Sequence, residues 1–271
     1  MSEENKYLDL VHKVLNEGIE SDDRTGVGTF SLFGEKLEFD VSEVFPLLTT
    51  KKINFKHIVT ELLWFLKGDT NIKYLLEHDC HIWDDWANEE GELGPVYGKQ
   101  WRKWSVNPLR SDLKHVDQIA NMVHTLKNNP DSRRNLVIAF NPAEIPVKAP
   151  PACHTMFQAY ARNGELSLQL YQRSADLMIG VPYNIASYSL LLLMLAQISG
   201  LKPGKFHHVF GDVHIYKNHL DGAEKQLDRD PTGFPKVELN SEVTDLFTFK
   251  HEDVKLVGYK PQGFIKFPIA V

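Results

Sequence analysis

Residues 155 to 161 and 165 to 171 alternate apolar and polar side chains, and Arg162-Asn163-Gly164-Glu165 between them carries the signal of a two-residue hairpin turn. A hairpin brings its two ends together. Cys153 enters the first strand and Arg173 leaves the second, so a guanidinium that cannot lose its charge is expected beside a thiol. Such a neighbour favours thiolate and can lower a cysteine pKa from about 8.5 into the range of roughly 3.5 to 7.5. The plainer reading of a lone cysteine is a small buried hydrophobe. Against it, Arg173, Ser174 and the nearby backbone turn would make a cradle for a phosphate, so the hairpin proposes a nucleophile next to an anion site.

The rest of the chain sets limits on what that site can serve. With 271 residues and no Pro/Gly/Ser-rich linker, repeat or low-complexity run, one domain over residues 1–271 is expected, with room for a sizeable core. A polar, acidic start and only two cysteines, Cys80 and Cys153, point away from export and disulfides and toward the cytoplasm. A formal net charge of -6 argues against broad adhesion to nucleic acid or to an anionic membrane, without excluding a local basic pocket. The segment from Ile185 to Ile198, broken by Ser187, Ser189 and Gln197, reads as a core helix too short to span a bilayer.

In chain order, residues 6 to 17 put Tyr7, Leu10, Val11, Val14 and Leu15 on one helical stripe, with Gly18 as a stop. A glycine-containing polar loop with Arg24 then precedes a strand-like pattern through Phe30, Leu32, Leu37 and Phe39. A second helix is expected from Phe55 to Lys67, closed by Gly68, and Glu61 lies on its buried side. A carboxylate there must be paired, hydrogen-bonded to water or partly protonated; an arginine partner is the ordinary solution. Trp83 and Trp86 are spaced to share an aromatic face, either for packing or for a planar ligand. His78, Cys80 and His81 are close in sequence, but no second ligand pair follows, so no metal site is expected. A third helix is expected over residues 111 to 127 with Ser111 as N-cap, then a turn with Arg133 and Arg134 and a strand from Leu136 to Phe140. Gly180 and Tyr183 are read as preceding the core helix, with Asn184 near its start. Residues 206 to 210 read as a buried strand leading to His214 and Tyr216, and beyond Lys217 the chain looks polar and short-stranded.

Several of these stretches together resemble the thymidylate synthase family. They are Asp23-Arg24-Thr25-Gly26, Glu61-Leu62-Leu63-Trp64-Phe65-Leu66, Gly94-Pro95-Val96-Tyr97-Gly98, Asp131-Ser132-Arg133-Arg134, Pro151-Ala152-Cys153-His154, Gln172-Arg173-Ser174-Ala175-Asp176, Asn184-Ile185-Ala186-Ser187-Tyr188 and His214-Ile215-Tyr216. The similarity runs in order to Ile269-Ala270-Val271 without a large insertion.

The resemblance implies a mixed α/β fold in which a large mixed sheet is covered by helices, and a homodimer whose sheets stack back to back. It implies conversion of dUMP to dTMP with 5,10-methylenetetrahydrofolate as one-carbon donor and reductant, and no metal, flavin or nicotinamide. Cys153, Glu61, Tyr97, Arg173 and Asn184 become the expected catalytic residues. Arg24, Gln172, Arg173, Ser174, Ala175, Asp176, Asn184, His214 and Tyr216 are expected around the nucleotide, and Arg133 and Arg134 are expected to reach the partner subunit's phosphate site. Asn54, Ile82, Trp83, Trp86, Asp176, Gly180, Tyr183, Ala270 and Val271 are expected on the folate side, with Ala270 and Val271 closing over the bound ligands. Position 54 is Asn where many relatives carry histidine, and Phe210-Gly211-Asp212 replaces the more usual Gly-Gly-Asp, with crowding of the nucleotide pocket as the expected consequence. Asn184 suits uracil, whereas relatives that hydroxymethylate cytosine carry aspartate at the matching place. A thiol hydrolase built on Cys153, a histidine and Asp212 is a further alternative, weakened because His154 is expected on the opposite strand face from Cys153.

Overall fold

The structure is a computed structural model and describes residues 2–22, 25–107 and 114–269. Its helices are α1 (Asn5–Glu17), α2 (Phe55–Lys67), α3 (Lys73–Glu77), α4 (Tyr97–Arg102), α5 (Gln118–Asn128), α6 (Gly180–Ser199) and α7 (Leu220–Leu227). Its strands are β1 (Ile19–Ser21), β2 (Thr29–Phe33), β3 (Lys36–Asp40), β4 (Trp104–Ser105), β5 (His115–Val116), β6 (Leu136–Ile138), β7 (His154–Arg162), β8 (Glu165–Asp176), β9 (Lys202–Tyr216), β10 (Lys236–Leu239) and β11 (Val254–Val257).

A seven-stranded mixed sheet runs β1-β2-β9-β8-β7-β6, with β3 also on β9. The expected hairpin is β7–β8: Arg162 pairs with Glu165, and Asn163 and Gly164 take φ of 54° and 77°. Two successive positive φ values suit the twist of an antiparallel pair, which is why Asn-Gly serves there. The β8 and β9 strands are parallel, and such a pair needs a crossover, which α6 supplies. The β2 and β3 strands pair with successive halves of β9 and are separated at Gly34, whose N–H donates 3.0 Å to the Gly211 carbonyl.

On one sheet face Phe157, Leu166, Leu168, Leu170, Phe206 and Phe210 meet α6, which packs on β8 and β9 and also contacts α2 and α5. Leu190, Leu191, Leu192 and Leu195 of α6 are at most 1% exposed, and each such side chain contributes roughly 1.5–3 kcal/mol of burial. The other face is left more open, with Met156, Gln158, Tyr160, Gln169, Tyr171 and Val209 partly or fully exposed.

The fold departs from the sequence expectation in six places. The core helix starts at Gly180, so Tyr183 and Asn184 lie inside its first turns; Pro182 is tolerated there because first-turn N–H groups have no helical acceptor. With 20 residues α6 is long and apolar enough to cross a membrane, but 83% of its most apolar window is buried in the fold, so burial and not shortness marks it as a core helix. The helix expected from residue 111 begins at Gln118: His115–Val116 pairs with Trp104–Ser105, and Asp117 caps by accepting from the Ala120 N–H at 2.9 Å. Ser111 lies outside the described residues. The strand read over 206 to 210 extends over Lys202–Tyr216, while that expected from Leu136 to Phe140 stops at Ile138, and the polar region after Lys217 contains α7.

Candidate active site

Strand β7 begins one residue after Cys153, and β8 returns beside it, with the Arg173 N–H donating 3.0 Å to the Cys153 carbonyl. The Arg173 guanidinium donates from Nη2 to Cys153 Sγ at 3.6 Å and to the Pro151 carbonyl at 2.6 Å, and from Nε to the Ala152 carbonyl at 3.0 Å. The expected neighbour is present, but its expected net effect is not. Burial pushes the Cys153 thiol above its ordinary value, and Arg173 offsets only part of that rise. The donors of the guanidinium are divided between sulfur and two backbone carbonyls.

Cys153 opens into a cavity of about 870 Å³ whose outer wall includes Ser21, Thr25, Arg173 and Ser174. An adjoining inner compartment of about 390 Å³ reaches Glu61, Trp83, Tyr97, Gln172, Tyr183 and Asn184. Both share Cys153, Ile82, Trp86, Ser174, Asp176, Gly180, His214 and Tyr216. Another depression, of about 700 Å³ between Asp69 and Gly91, is lined by neither Cys153 nor Glu61.

The inner compartment is where burial changes proton chemistry most. Burial raises Glu61 from 4.5 to about 7, although the Trp83 indole N–H, donating at 2.8 Å, favours the carboxylate. The arginine partner that would be ordinary for a buried glutamate is replaced by this indole. Tyr97, on α4, accepts the backbone N–H groups of Cys153 at 2.8 Å and His154 at 3.3 Å. Burial first, then the charge of a Cys153 thiolate, raises its pKa strongly, so it stays a phenol. With both lone pairs occupied, its hydroxyl hydrogen remains available to donate.

His154 hydrogen-bonds the Asn184 side chain, and burial lowers its pKa to about 4. Asp176 accepts from the N–H groups of Met178 and Ile179 at 2.9 and 3.1 Å, which shapes the turn into α6 and faces the remaining carboxylate edge to the cavity. His214 Nδ1 lies 2.6 Å from Asp212 Oδ1, and its ring meets Tyr216 edge-on at 5.1 Å. Trp83 and Trp86 pack edge to face at 5.7 Å, with Trp83 also against Trp64.

Other expected residues fall elsewhere. The Ala175 side chain is fully buried and lines neither compartment, since it occupies the strand face opposite Ser174. Asn54 is the residue before α2 and lines neither compartment, while its backbone hydrogen-bonds Tyr183. Phe210 does not crowd the cavity: it is 1% exposed and packs 4.1 Å from the His208 ring. Arg133 and Arg134 are exposed and away from the cavity of their own chain. Arg24, Ala270 and Val271 lie outside the described residues.

Two neighbours had no sequence signal. Lys51, in what reads as a polar turn, is buried; it donates to the Met178 carbonyl, lies 4.6 Å above the Phe267 ring and is lowered to about 7 by burial. His219 donates to the Pro268 carbonyl at 2.7 Å and stands 3.8 Å from Asp176. Among the described residues no cluster of three or more His, Cys, Asp or Glu is arranged to hold a metal ion. In comparison with known proteins, the family model for thymidylate synthase matches residues 5–271, essentially the whole chain.

Proposed function

Because the chain belongs to the thymidylate synthase family, we propose that it reductively methylates dUMP to dTMP with 5,10-methylenetetrahydrofolate as cosubstrate. Cys153 Sγ, having lost its proton to water in the cavity as the nucleotide binds, forms a bond to carbon 6 of uracil and moves the ring's electron pair toward oxygen. Asn184 and water held by Glu61 stabilise that charge by hydrogen bonding. Carbon 5 then takes the one-carbon unit as that unit's two bonds to folate nitrogens break in turn, and the carbon 5 proton leaves to water held by Tyr97, which serves as a positioned phenol and does not itself ionise. The folate also supplies the hydride that completes the methyl group as the Cys153–carbon bond breaks, so dihydrofolate is the second product. Arg173 and Ser174 hold the phosphate, Gln172 borders the pyrimidine, and His214 and Tyr216 take the sugar hydroxyl. Ile82, Trp83, Trp86, Gly180 and Tyr183 form the apolar wall for the folate, with Asp176 on its pterin ring.

The open sheet face bearing Tyr160, Gln169 and Tyr171 is the surface we assign to a back-to-back homodimer, with exposed Arg133 and Arg134 reaching the partner's phosphate site. One observation carries the catalytic reading: Arg173 Nη2 stands 3.6 Å from Cys153 Sγ in a cavity that also holds a carboxyl titrating at about 7. Purified protein mixed with dUMP and methylenetetrahydrofolate should produce dihydrofolate absorbance that needs both substrates and disappears in Cys153→Ala. Signal that persists in Cys153→Ala, or none in the wild-type protein, refutes it.

A further inference from the structure

Two buried histidines, His154 in the wall of the inner compartment and His208 behind it, each hold a carboxamide that borders the cavity. His154 hydrogen-bonds Asn184, and His208 of β9 places Nε2 2.8 Å from Gln172 Oε1. The sense of the second contact is decided by a third atom. Gln172 Nε2 lies 3.1 Å from the Ser174 carbonyl. A carbonyl oxygen only accepts, so the NH2 end of Gln172 must face Ser174. Its oxygen therefore faces His208, and that oxygen in turn requires a hydrogen on Nε2.

The ring is held in this attitude by its neighbours. Phe210 and Phe206 pack against it at 4.1 and 5.6 Å, and His208 is fully buried. Among the described residues no group partners Nδ1, as suits the lone-pair nitrogen of a neutral ring. Burial, reinforced by His154, lowers the His208 pKa well below its ordinary value and keeps it neutral. Reversing the amide would set the Gln172 oxygen against the Ser174 oxygen and its NH2 against an N–H.

We propose that His208 is a positioning residue: as the Nε2–H tautomer it locks the Gln172 carboxamide in one sense and leaves the second Nε2 hydrogen of Gln172 as the donor the carboxamide offers the cavity, so the pocket favours a pyrimidine edge carrying a carbonyl over one carrying an amine. The ligand preference rests on the pyrimidine-nucleotide reading of the site; the tautomer does not. The same lock braces the Ser174 carbonyl, one residue from Arg173, so the strand that bears the anion ligands is steadied from behind.

Nitrogen NMR of the histidine-labelled full chain tests the tautomer directly, with His208→Gln identifying the signal. A protonated Nε2 and a lone-pair Nδ1 at pH 7.5 are expected; the other tautomer or an imidazolium overturns the proposal. Calorimetry with dUMP and dCMP then tests the consequence. His208→Phe keeps a ring and removes the donor, and should weaken dUMP binding about tenfold while lowering the dUMP-to-dCMP affinity ratio. His208→Gln returns an N–H near the former Nε2 and should restore that ratio to within about twofold of wild type. An unchanged ratio in His208→Phe overturns the proposal, as does failure of His208→Gln to restore it, because mere loss of packing would affect both nucleotides alike. If His208→Phe does not fold, the wild-type tautomer and the His208→Gln ratio still decide. Failure of wild-type protein to bind dUMP removes the pyrimidine reading and with it the ligand preference, leaving the tautomer to be judged by NMR.

Discussion

Glu61→Gln separates the stability of the site from its chemistry. The substitution preserves volume and an oxygen for the Trp83 N–H, now at 2.8 Å from Oε1, but removes the ionisation. In the folded chain Glu61 titrates at about 7 instead of 4.5. Between those values the folded state therefore binds more protons than the unfolded state, and stability falls as pH rises through that window. A shift of this size corresponds to about 3 kcal/mol at full development, a ceiling that solvent reaching the cavity will reduce. Glu61→Gln should thus be more stable than wild type above pH 7, by up to that amount, with the advantage shrinking as pH falls toward 4.5.

Activity should move in the opposite direction. General acid–base groups contribute roughly 100-fold to 10,000-fold, so turnover should drop by about 100-fold or more, and any pH-rate limb near 7 should vanish. Urea denaturation of both proteins from pH 5 to 8.5, beside dihydrofolate production at the same pH values, reads both effects. Stability curves that stay parallel across the window would refute the burial argument. A surviving limb near 7 in the variant would assign that limb to another group.

Arg173→Gln should raise the Cys153 pKa further by removing a charge that opposes burial, slowing iodoacetamide alkylation at pH 8 by about tenfold for each unit gained; an equal or faster rate contradicts the pairing. Glu4→Ala leaves the Thr49 and Thr50 N–H groups and hydroxyls without their buried acceptor, at bond lengths of 2.6 to 2.9 Å, and should cost on the order of 3 kcal/mol in urea unfolding. Gly211→Ala would bring a Cβ 2.8 Å from the Arg173 carbonyl and 3.0 Å from the Tyr171 hydroxyl. It should weaken dUMP binding measured by calorimetry, while Gly164→Ala, which meets nothing within 4 Å but has φ of 77°, should lose about 1 kcal/mol of stability and no affinity.

The parts legible in the sequence are those whose causes are local. The α2 helix runs over the residues its periodicity marked and ends at Gly68 with φ of 68°, because apolar spacing and a left-handed cap are both properties of a short window. The β7–β8 hairpin follows from alternation and Asn163-Gly164 for the same reason. The start of α6 was hidden because Gly180 and Pro182 look like breakers, and a proline's tolerance in a first turn depends on where the helix starts. The β5 strand was absorbed into a helical stripe because its partner, β4, is about ten residues away and pairing is not a periodic signal. The mixed α/β sheet and the family were nevertheless within reach, the latter through motifs spread over the chain.

Site chemistry was less legible than site membership, and the reason lies in how burial acts. The sequence placed Cys153 beside Arg173, and a through-space charge pair can be inferred from two strand ends. It could not show that the aromatic and aliphatic wall around that pair removes more stabilisation from a thiolate than the guanidinium returns. The same cause raises Glu61 and Tyr97 and lowers His154, Lys51 and His208, all held near one cavity by elements far apart in sequence. A wall that disfavours charge in the resting site makes a thiol of Cys153 and leaves Glu61 poised to exchange a proton near neutrality. A ligand bearing its own anion, and expelling water as it enters, would change that balance at every one of these groups together. Reactivity in such a site is therefore coupled to occupancy through desolvation, and a mutation that lets water in, such as Trp83→Ala, should bring Glu61 back toward 4.5 even though it also removes an indole hydrogen bond favouring its carboxylate. A Glu61 pKa that instead rose in Trp83→Ala, followed by carboxyl carbon NMR, would show that the indole donor outweighs burial and would reverse the ranking of the two influences on this carboxyl.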